Sequence, residues 1–185
     1  MSKNLPFFIL VFVIVVWLKI FNNIATNDEL LFLLQPTNFF IEIWSGEYSF
    51  YLDGYNFETL GIVINRSCSG INFFIISFSL FAISSFFYCH KIWQKIFMIF
   101  VALSIAYFVT IFATVSRILV YLVIYPAKYY LPSIATENFH QLEGSFIYLF
   151  LLVGFYLILD KILKRCQNEW KNQNFTSNSN DLYYF

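Results

Sequence analysis

Residues 96–116, IFMIFVALSIAYFVTIFATVS, run without a single charged side chain and decide the fold class. A stretch of this length is enough for an α-helix to cross about 30 Å of hydrocarbon, which needs roughly 20 apolar residues. Three more apolar stretches, at residues 5–21, 71–88 and 145–161, have similar lengths. Because a bilayer interior offers no water, each backbone must satisfy its own hydrogen bonds, and the four stretches are predicted to be transmembrane helices.

The composition of the whole chain agrees with this prediction. Of its 185 residues, 59% are hydrophobic, 23% aromatic and only 12% charged, against about 25% charged in an average protein. A soluble domain of this size would expose too much apolar surface, and a disordered chain needs more charge. The net charge of zero argues against nucleic-acid binding. We therefore expect an all-α integral membrane protein, with about four transmembrane helices and an interfacial helix in a single domain over residues 1–185.

Lysine and arginine are concentrated on one side of the predicted spans. With both termini in the cytoplasm, seven of the eleven lie inside and four outside, which is the bias that favours this orientation. The four predicted outside are Lys19, Arg66, Arg117 and Lys128. We interpret the first span as a retained anchor, because no convincing signal-peptide cleavage site follows it. The Asn- and Ser-rich residues 167–185 are predicted to be a disordered cytoplasmic tail.

Arg117 interrupts the apolar sequence that begins at residue 96. A single span over residues 96–125 would bury a charge in a helix longer than the bilayer requires, which is costly. We therefore predict that the span ends near Arg117, and that residues 118–125 run along or re-enter the interface until Pro126. An arginine at this depth is either a topological anchor or part of a functional site.

Cys68, Arg117 and His140 are predicted to lie at the same depth on the outer side. Along their own spans they are 23, 22 and 21 positions from the nearest predicted cytoplasmic lysine. At 1.5 Å per residue these separations are about 32–35 Å, one bilayer thickness. The three side chains would then meet where three helices end, and helical bundles commonly form sites between facing helices.

A thiol, a guanidinium and an imidazole at one depth suit nucleophilic acyl transfer. Cys68 would attack as a thiolate, His140 would move its proton, and Arg117 would stabilise the thiolate or the oxyanion of the tetrahedral intermediate. Ser69 would cap the following helix, and Gly70 would let a substrate approach the backbone. The same residues would serve a membrane cysteine protease with water as acceptor. A third hypothesis is a non-enzymatic assembly or transport subunit, in which Cys68 is incidental and Arg117 an anchor.

Neither a metal ion nor a cofactor is expected. Cys89 and His90 are adjacent, and Cys166 is far away in the sequence, which is a poor spacing for metal ligands. Cys68 is predicted to face the side of the membrane opposite to the other two cysteines, so we expect no disulfide that includes it.

Three short motifs, in this order along the chain, resemble the exosortase/archaeosortase family. They are Ser67-Cys68-Ser69-Gly70-Ile71-Asn72-Phe73, then Ser116-Arg117-Ile118, then His140 with Gly144 four positions later. The resemblance covers about residues 65–160, and the first motif is most similar to the short exosortase K-type members. It departs at Thr114, where many relatives have asparagine, and at Asn72, near which many have a basic residue.

The resemblance implies a protein-sorting transpeptidase of the cell membrane, with its active site on the extracytoplasmic side. Its substrates would be secreted proteins that end in a sorting signal, namely a short motif, a transmembrane helix and a basic tail. The family pattern makes Cys68 the nucleophile, Arg117 the essential basic residue and His140 the third catalytic residue, with Ser69, Gly70 and Gly144 in support. The acyl-enzyme would pass the protein to an envelope acceptor that the sequence does not identify.

Overall fold

The computed structural model describes residues 4–88, 92–124, 144–165 and 167. Its α-helices there are α1 (Leu5–Ile24), α2 (Leu31–Ser45), α3 (Ile71–Tyr88), α4 (Ile92–Ile124) and α5 (Gly144–Arg165). All but α2 are long and apolar enough to cross a membrane, so the prediction of an all-α protein with about four transmembrane helices is confirmed. The predictions for Cys89, His90, His140, Cys166 and the tail from residue 168 fall outside the described residues.

The interior of the bundle is formed by α3 packing against α4. The face of α4 turned inward carries small side chains at four-residue spacing: Ala102, Ala106, Thr110 and Thr114, each at most 2% exposed. Small residues let two helices approach closely in lipid, where hydrophobic attraction between helices is weak. The facing helix α3 contributes large rings, including the fully buried Phe78 and Phe81. This close pairing determines how the start of α3 is presented to α4.

The predicted break at Arg117 is wrong, because α4 continues as one helix through Arg117 to Ile124. Residues 118–124 are apolar and contain no glycine or proline, so nothing in their sequence stops the backbone hydrogen bonds. Ile118 is 7% exposed and extends the buried face by one more turn. Residues of α5 accommodate the guanidinium, so the helix does not need to end at Arg117. Residues 118–124 therefore continue α4 rather than starting a separate segment.

The segment between α1 and α3 contains a helix and a small sheet that the sequence analysis treated as one outer loop. Helix α2 is followed by strands β1 (Phe50–Tyr51), β2 (Tyr55–Phe57) and β3 (Ile62–Ile64), which form an antiparallel sheet in the order β1-β2-β3. In this sheet Tyr51 pairs with Tyr55, and Tyr55 pairs with Ile64. Strand β3 leads directly into the turn that carries Cys68.

Helix α2 rests against α4. The Tyr107 hydroxyl of α4 donates a hydrogen bond of 2.9 Å to the carbonyl oxygen of Phe32, and the two rings stack. At the other end of α2, the Glu42 carboxylate accepts hydrogen bonds from the Ser49 hydroxyl and backbone N–H, at 2.6 and 3.0 Å. These bonds hold the pKa of Glu42 below its usual value, and the bond from the Ser49 hydroxyl contributes most. The chain is thereby bent back from α2 into the sheet.

At the opposite end of the bundle, polar contacts join helices that are distant in sequence. The Tyr88 hydroxyl at the end of α3 donates to the Asp160 carboxylate of α5, and Lys164 pairs with that carboxylate at 2.6 Å. The Lys95 amine of α4 donates to the Asn4 side chain just before α1, and it lies 5.2 Å from the centroid of the Phe7 ring. These contacts hold α1 and α5 to the central pair α3 and α4.

Candidate active site

Cys68 ends a single 3-10 turn, Arg66–Cys68, between strand β3 and helix α3. The Asn65 side-chain oxygen accepts the Ser67 N–H at 3.1 Å, and the Asn65 carbonyl accepts the Cys68 N–H at 2.8 Å. The half-buried thiol lies 4.0 Å from the Val63 carbonyl oxygen. The nucleophile predicted at a helix start therefore stands in the turn that precedes α3, held by backbone bonds rather than by the helix.

Ser69 and Gly70 connect this turn to α3. The buried Ser69 hydroxyl donates to the Arg66 carbonyl at 2.8 Å and accepts the Ile71 N–H at 3.4 Å, so it takes part in capping the helix. Gly70 has a φ of +69°, a conformation that favours glycine. A Cβ at Gly70 would overlap the Thr114 hydroxyl and would lie 3.1 Å from Thr110 Cγ2. The close approach that Gly70 permits is thus to α4, whereas we had expected a substrate there.

Arg117 is enclosed by α5. Its Cζ lies 5.2 Å from the centroid of the Tyr148 ring, and a Cβ at Gly144 would lie 2.9 Å from Arg117 Cδ. The Tyr148 ring itself stacks on Phe73 of α3, with centroids 4.8 Å apart and planes inclined by 21°. The Tyr148 hydroxyl is 3.4 Å from the Thr114 hydroxyl of α4. Tyr148 of α5 therefore touches both of the other helices at the candidate site, α3 and α4.

Two cavities meet at Arg117. The smaller, about 200 Å³, is walled by Cys68 and Arg117 together with strand β3 and the α4 side chains Ile118 and Tyr121. The larger, about 590 Å³, is lined by Arg117 and Arg66, by Ser69 and Gly70, and by residues of α3 and α5. No Asp or Glu among the described residues lines either cavity. Among the described side chains, a ligand in these spaces would therefore meet guanidinium groups and no carboxylate.

The structure thus brings Cys68 and Arg117 to the walls of one cavity, although they are 49 positions apart. Gly144 lies against Arg117, while Ser69 and Gly70 line the adjoining cavity. His140 lies outside the described residues, so its predicted place beside the other two remains a prediction.

The sequence analysis did not assign a role to the polar residues that join α1 to this region. Arg66 Nη2 donates to the carbonyl oxygens of Asn22 and Asn23, at the carboxyl end of α1 where the helix dipole favours a cation. The Asn72 side-chain oxygen accepts from Lys19 Nζ at 3.0 Å and from the Asn22 amide at 3.1 Å. A cation from α1 is therefore supplied next to Asn72 at the start of α3.

Tyr148 was also missed, although the sequence contains a signal for it. It is one helical turn after Gly144, so both residues are on the same face of α5. The sequence did not show that Tyr148 contacts Arg117, because the two residues lie on different helices.

A model of the transmembrane exosortase family matches residues 3–157. The match begins before α1, so it includes the α1, α2 and sheet regions that the three motifs did not cover. Comparison with curated proteins and with solved structures gives no significant match. Because the family model covers most of the chain, the protein belongs to the transmembrane exosortase family.

Proposed function

We propose that the protein is a membrane-embedded cysteine transpeptidase that cleaves a C-terminal sorting signal from secreted proteins and transfers them to a cell-envelope acceptor. One observation carries this proposal: Cys68 and Arg117 line the same small cavity, beside a larger one that is open to a substrate. Membership of the exosortase family supports the reaction class. The substrate, the acceptor and the side of the membrane are part of the proposal.

In the first half-reaction, the Cys68 thiolate attacks the carbonyl carbon of the scissile peptide bond. The oxyanion of the tetrahedral intermediate forms beside Arg117, whose positive charge stabilises it. When the carbon–nitrogen bond breaks, the leaving amine takes the proton that His140 received from the thiol. The products are a thioester on Cys68 and a released helix with its basic tail.

In the second half-reaction, a nucleophilic group of the acceptor attacks the thioester carbonyl. His140 takes the proton of this nucleophile and returns it to the departing thiol, so the enzyme is regenerated without a change of oxidation state. If water replaces the acceptor, the same residues perform hydrolysis. The chemistry of the two reactions differs only in the incoming nucleophile.

The cysteine is tested by comparing Cys68→Ser with Cys89→Ser, which makes the same change at another cysteine. Membrane and envelope proteins from cells expressing each variant are compared by C-terminal peptide mass spectrometry. We expect precursors with an uncleaved C-terminal helix to accumulate only in the Cys68→Ser strain. Normal processing at normal levels of the Cys68→Ser protein would instead support a non-enzymatic subunit.

Transfer and hydrolysis are separated by the new C-terminal group on a processed protein. Transfer predicts a mass larger than that of the free acid by the mass of the acceptor minus one water. A free C-terminal carboxylate would identify a protease. The first result supports the proposal, and the second would replace it with the hydrolytic alternative.

A further inference from the structure

Helix α5 contacts Arg117 at two positions that are one helical turn apart. At Gly144 the missing side chain leaves room for the aliphatic part of Arg117, since a Cβ would lie 2.9 Å from Cδ. At Tyr148 the ring lies under the guanidinium, with 5.2 Å between the ring centroid and Cζ. We call Gly144 and Tyr148 together the arginine seat.

We propose that Tyr148 is a positioning residue that holds the Arg117 guanidinium over the two cavities through the face of its ring, and that Gly144 makes this placement possible. The inference rests on the proposed function, because it assigns Arg117 a catalytic task. Tyr148 acts through Arg117 and needs no contact with the substrate.

The ring is well suited to this role because it is itself held in place. It stacks on Phe73 from α3, and its hydroxyl lies 3.4 Å from the Thr114 hydroxyl of α4. The face of an aromatic ring attracts a cation, and this attraction strengthens where water is scarce. Within residues 4–88, 92–124 and 144–165, no carboxylate lies within ion-pair distance of Arg117. The ring is thus placed to orient the guanidinium.

The hydroxyl of Tyr148 is assigned no catalytic part. It is directed to Thr114, whereas the guanidinium is met by the ring face. A phenylalanine keeps the face and loses only the contact with Thr114, while leucine removes the face. These two variants therefore separate a ring effect from a hydroxyl effect.

Gly144 offers an independent way to move the guanidinium without removing its charge. The atom that a new Cβ would meet belongs to a flexible side chain, so Arg117 can yield while the two helices stay in place. We expect Gly144→Ala to displace Arg117 from the ring and to slow the reaction, with little change in the stability of the protein.

The contact is tested first by a double-mutant cycle between Arg117→Met and Tyr148→Leu. The free energy of unfolding of the full-length protein is measured in detergent by titration with sodium dodecyl sulfate. We expect a coupling of about 2- to 30-fold in the unfolding equilibrium constant, the range of a cation held over a ring. The matched pair Arg117→Met and Tyr156→Leu, on the same helix, should be additive. Additivity for Tyr148 would overturn the proposal.

The role is tested by pulse–chase labelling of a precursor whose cleavage disappears in the Cys68→Ser strain. We expect the processing rate to fall about 5- to 30-fold in Tyr148→Leu, the effect of losing a desolvated cation–ring contact, and to recover in Tyr148→Phe. Gly144→Ala should also be slow, and Tyr156→Leu should process normally. Equal losses in the Leu and Phe variants would assign the role to the hydroxyl, and no loss in Leu would leave the ring without a role. Either result would refute the proposed seat.

Failure of the proposed function would be recognised separately. If the Cys68→Ser strain processes every precursor normally, the enzyme assignment is lost, while the double-mutant cycle still decides whether the ring holds Arg117.

Discussion

Replacing Gly70 with alanine probes the contact that places the Cys68 turn against α4. The backbone at Gly70 has a φ of +69°, which costs a non-glycine residue about 1–2 kcal/mol. The added Cβ would also overlap the Thr114 hydroxyl and would come within 3.1 Å of Thr110 Cγ2, an overpacking that typically costs about 1–3 kcal/mol. We therefore expect Gly70→Ala to lower the free energy of unfolding by about 2–5 kcal/mol.

The second mutation Thr114→Ala removes the overlapping hydroxyl and leaves the backbone strain and the contact with Thr110. In that background Gly70→Ala should cost less than in the wild-type protein, but at least the backbone strain of about 1–2 kcal/mol. Unfolding in sodium dodecyl sulfate, followed by tryptophan fluorescence, measures all four proteins. Gly154→Ala is the control, since its Cβ would meet no atom within 4 Å in the middle of α5, and alanine should stabilise a helix there by about 0.5–1 kcal/mol. An equal cost of Gly70→Ala with and without Thr114 would refute this account of the helix contact.

Three further predictions concern the outer segment and its orientation. A variant in which Cys68 is the sole cysteine should react with a membrane-impermeant maleimide in intact cells, and labelling that needs permeabilised cells would contradict the extracytoplasmic site. The pKa of Glu42 is lowered in the folded state, so its contribution to stability should be present above its ordinary pKa of 4.5 and lost as pH falls through the lowered pKa. Glu42→Gln should flatten the stability curve there, and an unchanged curve would contradict the Ser49 contact. Trp44 is 54% exposed on a helix that rests against α4. In a variant whose only tryptophan is Trp44, we expect brominated lipids in liposomes to quench the tryptophan fluorescence. Quenching no stronger than that of free tryptophan would show that α2 faces water.

The four spans were predictable from the sequence because the bilayer imposes one simple requirement on the backbone. A long uncharged stretch has to be a helix, whatever it packs against. The end of α4 was not predictable in the same way. The sequence analysis assumed that the Arg117 side chain would have to be buried in lipid, which is unfavourable. In the structure it contacts Tyr148 and Gly144 of α5, which are distant in sequence.

In the candidate site, too, some features were predictable from the sequence and others depended on contacts between distant residues. Spacing along each span placed Cys68 and Arg117 at one level, and both line one cavity in the structure. The sequence did not show why a glycine is needed at position 70, because the reason is the close contact with Thr114 of the facing helix. The short strands before Cys68 were missed as well, since two or three residues give no periodic signal of their own.

The two turns of α4 beyond Arg117 have a consequence for the lifetime of the proposed thioester. Ile118 and Tyr121 on those turns, with Ile62 and Ile64 of β3, form the walls of the chamber that contains the thiol. A helix that stopped at Arg117 would lack two of the side chains that line this cavity and would expose the thiol further to water. Exclusion of water protects a reactive intermediate from hydrolysis. The length of α4 would then decide how long the acyl-enzyme waits for its acceptor, and so whether the cell recovers an anchored protein or a released one.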